Sequence, residues 1–260
     1  MINWHFFLIN PLPASLIISR RFKKHFGLII KINKILNISG GIVKSIRINE
    51  PVNSLTHLTG ALLSIAGLVL LIIKASHPVR PWLIVSFSIY GIGMLLMYTA
   101  STVYHMVGDG DSKKDILRKI DHIMIFFFIA ASYTPICLVA IRGGWGWSLF
   151  GVIWIMALAG FVLKTIRCDL PRGLTALLYV LMGWTALVAL YPLVTKLSTA
   201  GLFWLVMGGI FYTVGALIYS RKYPDPLPNI FGFHEIFHVF ILFGSACHFW
   251  LIFRYIMTFN

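Results

Sequence analysis

Two pairs of polar residues in this sequence are spaced so that each pair occupies one face of a helix. Ser101 and His105 are four residues apart, and so are His234 and His238. Residues four apart lie one above the other on an α-helix, so both members of a pair can face the same neighbour. Imidazole nitrogens are typical zinc ligands, and a catalytic zinc site keeps one position open for water. The spacing therefore favours a zinc centre formed by histidines from different helices.

The segment from His234 to His238 also matches H-E-x-x-H, the pattern in which zinc proteases carry two ligands and a glutamate general base. Those proteases take a third ligand from further along the chain, but no acidic residue follows Glu235. His248 lies about 15 Å beyond His238 along a helix, too far to share the metal, and is better interpreted as a buried, hydrogen-bonded histidine. The third ligand must come from upstream, where His105 is best placed. Glu235 points about 100° away from His234, so the match is weak evidence for a protease.

The segments that carry these residues have the composition of membrane helices. Hydrophobic residues make up 58% of the 260-residue chain and charged residues 12%. A soluble domain has about 45–50% hydrophobic and about 25% charged residues. This chain therefore has too few polar groups to cover a surface that faces water on all sides. The three cysteines form no C-x-x-C pair, which disfavours a disulfide framework or a thiolate metal site. We expect an all-α integral membrane protein.

Long uncharged stretches predict seven transmembrane helices packed as one bundle, in a domain covering residues 50–256. Each stretch is long enough to cross a bilayer core of about 30 Å. The basic segment 1–49 precedes the bundle, and we expect it to lie on the membrane surface as a helix or to be partly disordered. The expected spans are residues 52–74, 81–106, 119–141, 145–164, 173–194, 198–220 and 232–254.

The distribution of lysine and arginine predicts which way the bundle faces. With the N-terminus inside, 17 of the 22 basic residues lie on that side and 5 on the other. Cytoplasmic loops of membrane proteins carry an excess of lysine and arginine. We therefore expect a multipass protein of the cell (inner or plasma) membrane, with its N-terminus in the cytoplasm and its C-terminus outside.

This topology places polar residues from four helices in one layer near the cytoplasmic side. Polar groups inside a span are costly, so such a layer favours a functional site. Three histidines and a carboxylate at one depth suit zinc, with a serine and an aspartate as supporting groups or proton acceptor. The alternative is that each residue is simply hydrogen-bonded within the bundle, and that Glu50 before a proline marks a helix start. The layer contains Glu50, Asn53, His57, Ser101, His105, Asp121, His122, His234, Glu235 and His238.

These residues resemble the motifs of the hemolysin III family, within the superfamily of progestin and adiponectin receptors. The resemblance covers about residues 48–256 and rests on Glu50-x-x-Asn53-x-x-x-His57, Ser101-Thr102-Val103-Tyr104-His105, Asp121-His122, His234-x-x-x-His238 and Ser245-Ala246-Cys247-His248-Phe249. It implies a seven-helix bundle with a cytoplasmic N-terminus and zinc held by His105, His234 and His238. It further implies that Asp121 contacts the metal through water, supported by Ser101. The family pattern leaves the position of Glu235 open.

The residues and the resemblance leave two classes of function. The first is a zinc-dependent hydrolase of a lipid amide or ester, with Asp121 as proton acceptor, because adiponectin-receptor relatives are linked to hydrolysis of the ceramide amide. The second is a pore-forming, cytolytic or membrane-energetics (ion homeostasis) protein with structural zinc. Confinement of the polar residues to one side disfavours a simple pore. Membrane lipids are the expected partners and no nucleic acid is expected. The sequence does not allow a soluble protein partner to be inferred, and it leaves homo-oligomers open.

Overall fold

The computed structural model describes residues 48–108, 110–167, 170–227 and 230–259. Within these ranges, seven helical spans are long and apolar enough to cross a membrane. The chain is therefore an all-α, seven-helix membrane protein, as its composition predicts. Apart from Ile48 and Asn49, the predicted basic segment 1–49 lies outside the described residues. The spans are α1 (Pro51–Ala75), α2 (Pro81–Met106), α3 (Lys114–Ala140), α4 (Gly144–Ile166), α5 (Arg172–Lys196), α6 (Thr199–Arg221) and α7 (Phe233–Thr258).

Two spans have an end that lies four or more residues from the position expected from the uncharged stretches. Span α3 begins at Lys114 rather than at residue 119. The α-helix of α7 ends at Arg254, and a 3-10 turn at Ile256–Thr258 extends the span to Thr258. In α3 the extra turn carries charged residues, including Asp115 in the first turn, where a negative charge suits the helix dipole. A helix can continue past the hydrocarbon core into the interface. A charged residue therefore marks where the chain leaves the hydrocarbon core, but the helix itself can extend beyond that residue.

Spans α3 and α5 each contain a local break, and Tyr133 of α3 contacts the one in α5. Span α3 changes to a π-helix at Ile136–Ala140, directly after Pro135, and α5 changes to a 3-10 helix at Thr185–Ala189. The Tyr133 hydroxyl accepts a hydrogen bond from the backbone of Ala186 (2.9 Å) and donates to the backbone of α5 at Met182 and Gly183. A break in a membrane helix is tolerated where a neighbour satisfies its backbone groups, and Tyr133 does so here.

Helix packing places one end of α1, α2 and α7 together. Span α2 packs between α1 and α3, and α7 packs against α1 and α6. Gly60 of α1 lies under the ring of Tyr98 of α2, where a Cβ atom would be 2.6 Å from the ring. Small residues of this kind let membrane helices approach closely. Span α3 is the most enclosed of the seven. In its most apolar 18-residue stretch 78% of the residues are buried, whereas the corresponding share is 22–44% in the other six spans.

Candidate metal centre

Three histidines from α2 and α7 converge at the end of the bundle where α2 finishes and α7 begins. One ligand nitrogen from each of His105, His234 and His238 lies within 4.8 Å of the other two. The Nε2 atoms of His105 and His234 are 3.4 Å apart. A zinc ion bound at about 2.0–2.1 Å from each nitrogen needs ligands at roughly this mutual distance. The structure thus brings together the three histidines expected from the sequence.

The first of these histidines is held by Glu50. Its Nδ1 donates a hydrogen bond of 2.7 Å to Glu50 Oε2, and its backbone carbonyl accepts one of 3.1 Å from the Glu50 amide. The hydrogen bond from His105 lowers the pKa of the Glu50 carboxyl to about 2, so this group is an anionic acceptor at neutral pH. Because Nδ1 carries the hydrogen, Nε2 of His105 presents its lone pair towards His234. Asn53 donates a second hydrogen bond of 2.9 Å to Glu50 Oε2.

A second histidine of the cluster, His238, is held by Thr56, a residue that no pattern in the sequence indicates. The Thr56 hydroxyl lies 3.3 Å from His238 Nδ1 and 2.9 Å from the carbonyls of Val52 and Asn53. Its hydrogen points to the backbone, so its lone pair accepts from Nδ1 and Nε2 of His238 stays available. A helical threonine usually bonds its own backbone, which hides this second contact in the sequence. Glu50, directly before α1, and Thr56, in its second turn, therefore set the tautomers of two of the clustered histidines.

The carboxylate of Asp121 is buried beside the histidine cluster. Asp121 is 8% exposed and Ser101 2% exposed, and the Ser101 hydroxyl is close enough to the carboxylate to stabilise its charge. Both residues line the same cavity as His234 and His238. A buried carboxylate needs a compensating partner, and the cavity wall gives Asp121 access to a ligand or water. The arrangement suits a proton acceptor next to a metal.

The cavity extends from the cluster into the apolar interior of the bundle. Its volume is about 490 Å³, within the range of small-molecule sites. Arg118, His122 and Arg172 line it near the cluster, whereas Ile129 and Trp184 line it further inside. The cavity can therefore hold a molecule with a polar end near the histidines and an apolar chain beyond them.

The other polar residues of the expected layer have different positions. The ring of His57 stacks on His238, with centroids 3.5 Å apart and planes 12° apart, and neither of its nitrogens has a partner in the described chain. His122 lines the cavity but lies outside the histidine cluster, and its backbone carbonyl accepts from the Tyr179 hydroxyl. Glu235 accepts a 2.7 Å hydrogen bond from the Gly232 amide and so caps α7. That contact accounts for Glu235 without a role at a metal.

Polar side chains continue deeper into the bundle than the layer predicted from the sequence. The Tyr98 hydroxyl donates to Ser245 Oγ at 2.7 Å, and the Tyr212 hydroxyl lies 3.0 Å from the same oxygen. Ser245 is seven residues beyond His238, about 10 Å along the helix. The expectation that polar groups are confined to one layer is corrected by this network. Tyrosine and serine hydroxyls carry no charge, so the distribution of charged residues in the sequence does not reveal a polar network within an apolar stretch.

Comparison with known proteins identifies the family. Residues 46–249 match the family model described as haemolysin-III related. The chain is 41% identical over 206 residues to the hemolysin-3 homolog of Bacillus subtilis (strain 168), covering 79% of this chain and 93% of that protein. It is 37% identical to hemolysin-3 of Bacillus cereus, over 80% of this chain and 92% of that protein. It is 28% identical to the human monocyte to macrophage differentiation factor, over 67% of this chain and 72% of that protein. This chain therefore belongs to the haemolysin-III related family.

Proposed function

We propose that this protein is a zinc-dependent hydrolase that cleaves an amide or ester bond of a membrane lipid. The observation that carries the proposal is the convergence of His105, His234 and His238 next to the buried carboxylate of Asp121 on the wall of an amphipathic cavity. A structural metal site needs neither a cavity nor an adjacent carboxylate, whereas a hydrolase needs both.

The donor set fits zinc. It consists of imidazole nitrogens, and the Nδ1 atoms of His105 and His238 are engaged by Glu50 and Thr56. Three histidine nitrogens with one position left for water are the typical ligands of catalytic zinc. An anionic acceptor on the far nitrogen raises the basicity of the coordinating one and orients the ring.

Asp121 performs the proton transfers of the proposed reaction. Zinc at this centre would supply a Lewis acid that polarises the carbonyl and lowers the pKa of a bound water to about 7. Asp121 accepts a proton from the attacking water while a bond forms between the water oxygen and the carbonyl carbon. It then returns the proton to the leaving nitrogen or oxygen as that bond to the carbonyl carbon breaks. Water and lipid yield a carboxylic acid and an amine or alcohol, and Ser101 holds Asp121 in place throughout.

We also infer that the centre lies on the cytoplasmic side of the cell membrane. The inference rests on the 17 to 5 distribution of basic residues, because the end of the bundle that carries the histidines adjoins the loops richer in lysine and arginine. The substrate then enters from the bilayer, where its acyl chain already lies.

Cytolysis or ion homeostasis with structural zinc is the second candidate. The name of the Bacillus cereus relative favours cytolysis, and the hydroxyl network at Ser245 favours a longer polar path.

Purified protein in lipid nanodiscs should contain zinc and release fatty acid from N-acyl or O-acyl lipids. Chelation should stop the release and zinc should restore it. Zinc-loaded protein that cleaves none of these lipids but makes dye-filled vesicles leak would contradict the hydrolase and support the second candidate.

A further inference from the structure

The inner end of the cavity carries a second polar group, His248. This residue lines the same cavity as His238 and lies ten residues further along α7. Ten helical residues span about 15 Å, so His248 is remote from the histidine cluster. Between the two ends the lining includes the apolar side chains of Met97, Ile125 and Ile241. The cavity thus carries histidines at both ends, with several apolar side chains in the wall between them.

The hydrogen bonding of His248 leaves one ring nitrogen as a free acceptor. Its Nε2 atom lies 3.3 Å from the backbone carbonyl of Leu205. A carbonyl oxygen only accepts, so Nε2 carries the hydrogen and Nδ1 of the neutral ring carries a lone pair. In the part of the chain that the structure describes, no group donates to that Nδ1 atom.

The surrounding helices accommodate the His248 ring closely. A Cβ atom on Gly208 of α6 would lie 2.1 Å from the ring, so only glycine fits there without a shift of the ring or backbone. The ring of Tyr212 approaches at 5.3 Å with planes 86° apart, while its hydroxyl is engaged with Ser245. These contacts hold the imidazole in a defined position, and an acceptor held in place discriminates between ligand groups.

We propose that the inner end of the cavity binds a hydroxyl group on the far part of the lipid chain whose carbonyl lies at the histidine cluster. His248 Nδ1 accepts the hydrogen bond from that hydroxyl. This inference rests on the proposed hydrolase function and narrows its substrates to acyl chains that are hydroxylated far from the scissile bond. A methylene chain at the same place would leave the acceptor buried and unpaired, which costs binding free energy.

The spacing determines which carbon carries the hydroxyl. An extended chain advances about 1.2 Å per bond, so about 15 Å corresponds to roughly a dozen bonds. The probes are therefore dodecanoyl hydroxamate, its 12-hydroxy derivative and its 6-hydroxy derivative. The hydroxamate group binds zinc, and the three probes differ only in the presence and position of a hydroxyl.

Calorimetry on the zinc-loaded wild-type protein in nanodiscs tests the proposal. The 12-hydroxy probe should bind about five- to tenfold more tightly than the unsubstituted one, the usual effect of one hydrogen bond, and the 6-hydroxy probe should show no gain. His248→Phe keeps an aromatic ring next to Gly208 but has no acceptor, so it should abolish the preference. His77→Phe, the same change at an exposed residue in the loop between α1 and α2, should leave it intact.

The outcomes separate this inference from the hydrolase. Equal affinities of the 12-hydroxy and unsubstituted probes for the wild-type protein would overturn the inference, as would a preference that persists in His248→Phe. Either result leaves lipid hydrolysis untouched, because turnover is measured separately. If no lipid is cleaved, dodecanoate and 12-hydroxydodecanoate are compared on zinc-free protein. A preference for the hydroxylated acid would then support the inner site alone, and its absence would overturn it.

Discussion

Glu50 and His105 are 55 residues apart in the chain, yet Glu50 holds both the ring and the backbone of His105. The side-chain contact is 2.7 Å and the backbone contact 3.1 Å. Lys114 of α3 lies 3.8 Å from the other Glu50 oxygen and donates to the carbonyls of Tyr104 and Val107 at the end of α2. The start of α1, the end of α2 and the start of α3 therefore meet around this one histidine.

Replacing Glu50 with alanine should weaken zinc binding by about 10- to 100-fold, the usual effect of removing the group that orients a metal ligand. Glu50→Gln retains an acceptor without the charge, so its effect should be smaller. Competition with a chromophoric chelator measures both affinities. Asp111→Asn, a change at an exposed acidic residue in the loop before α3, is the matched control. Zinc affinity equal to wild type in Glu50→Ala would show that Glu50 does not position the ligand.

Alanine at His105, His234 or His238 should remove zinc, because each change leaves only two of the three converging nitrogens. His122→Ala should retain zinc, since His122 lines the cavity but lies outside the cluster. Metal analysis of the purified variants, normalised to folded protein by circular dichroism, distinguishes these cases. Full zinc occupancy in folded His234→Ala protein would remove that residue from the proposed ligands.

Asp121→Asn should lower turnover by about 10²- to 10⁴-fold while zinc remains bound, because asparagine keeps the shape but cannot accept the proton. Ser101→Ala should have a smaller effect, since it removes only a hydroxyl that stabilises the charge of Asp121. The measurement is fatty-acid release alongside zinc content. Undiminished lipid hydrolysis by the zinc-loaded Asp121→Asn protein would exclude Asp121 as the base.

Glu235→Ala should lower the stability of the protein by about 1 kcal/mol and leave turnover nearly unchanged. Glu235 caps the first turn of α7 through the Gly232 amide, and lost caps cost roughly this much. Glu235→Gln can keep the cap and should resemble wild type in both properties. Thermal unfolding and lipid hydrolysis are measured on the same preparations. An inactive Glu235→Gln protein that still binds zinc would support the zinc-protease interpretation of H-E-x-x-H instead.

Single cysteines test the orientation inferred from the basic residues. Ser112 lies exposed in the loop between α2 and α3, and Ala200 lies exposed in the first turn of α6 at the other end of the bundle. In a Cys168→Ser background, Ser112→Cys should react with an impermeant maleimide only after cell lysis. Ala200→Cys should react in intact cells. The opposite labelling pattern would invert the topology and place the histidine cluster on the outer side.

Local patterns in the sequence are sufficient to predict much of this architecture. The long apolar stretches predict seven spans because a membrane helix satisfies its own backbone, so length and hydropathy suffice to recognise it. The i, i+4 spacing of His234 and His238 predicts a shared face for the same local reason. Once the helix ends alternate between the two sides of the bilayer, His105 and His234 must lie at one end of the bundle. The common depth of the histidines therefore follows from the chain's own order.

The contacts that give these histidines a defined chemistry depend on the packing of one helix against another. Thr56 accepts from His238 and Glu50 from His105 only because α1 approaches both α2 and α7. Glycines permit this approach, since Gly60 packs against Tyr98 of α2 and Gly67 against Phe249 of α7. Which ring nitrogen carries the hydrogen then depends on contacts across helices, and no spacing within one segment contains that information. The inner acceptor at His248 has the same origin, because Leu205 and Gly208 belong to a different helix. Hydropathy and periodicity are properties of a single segment, whereas tautomers and the lining of a cavity are set by distances between segments.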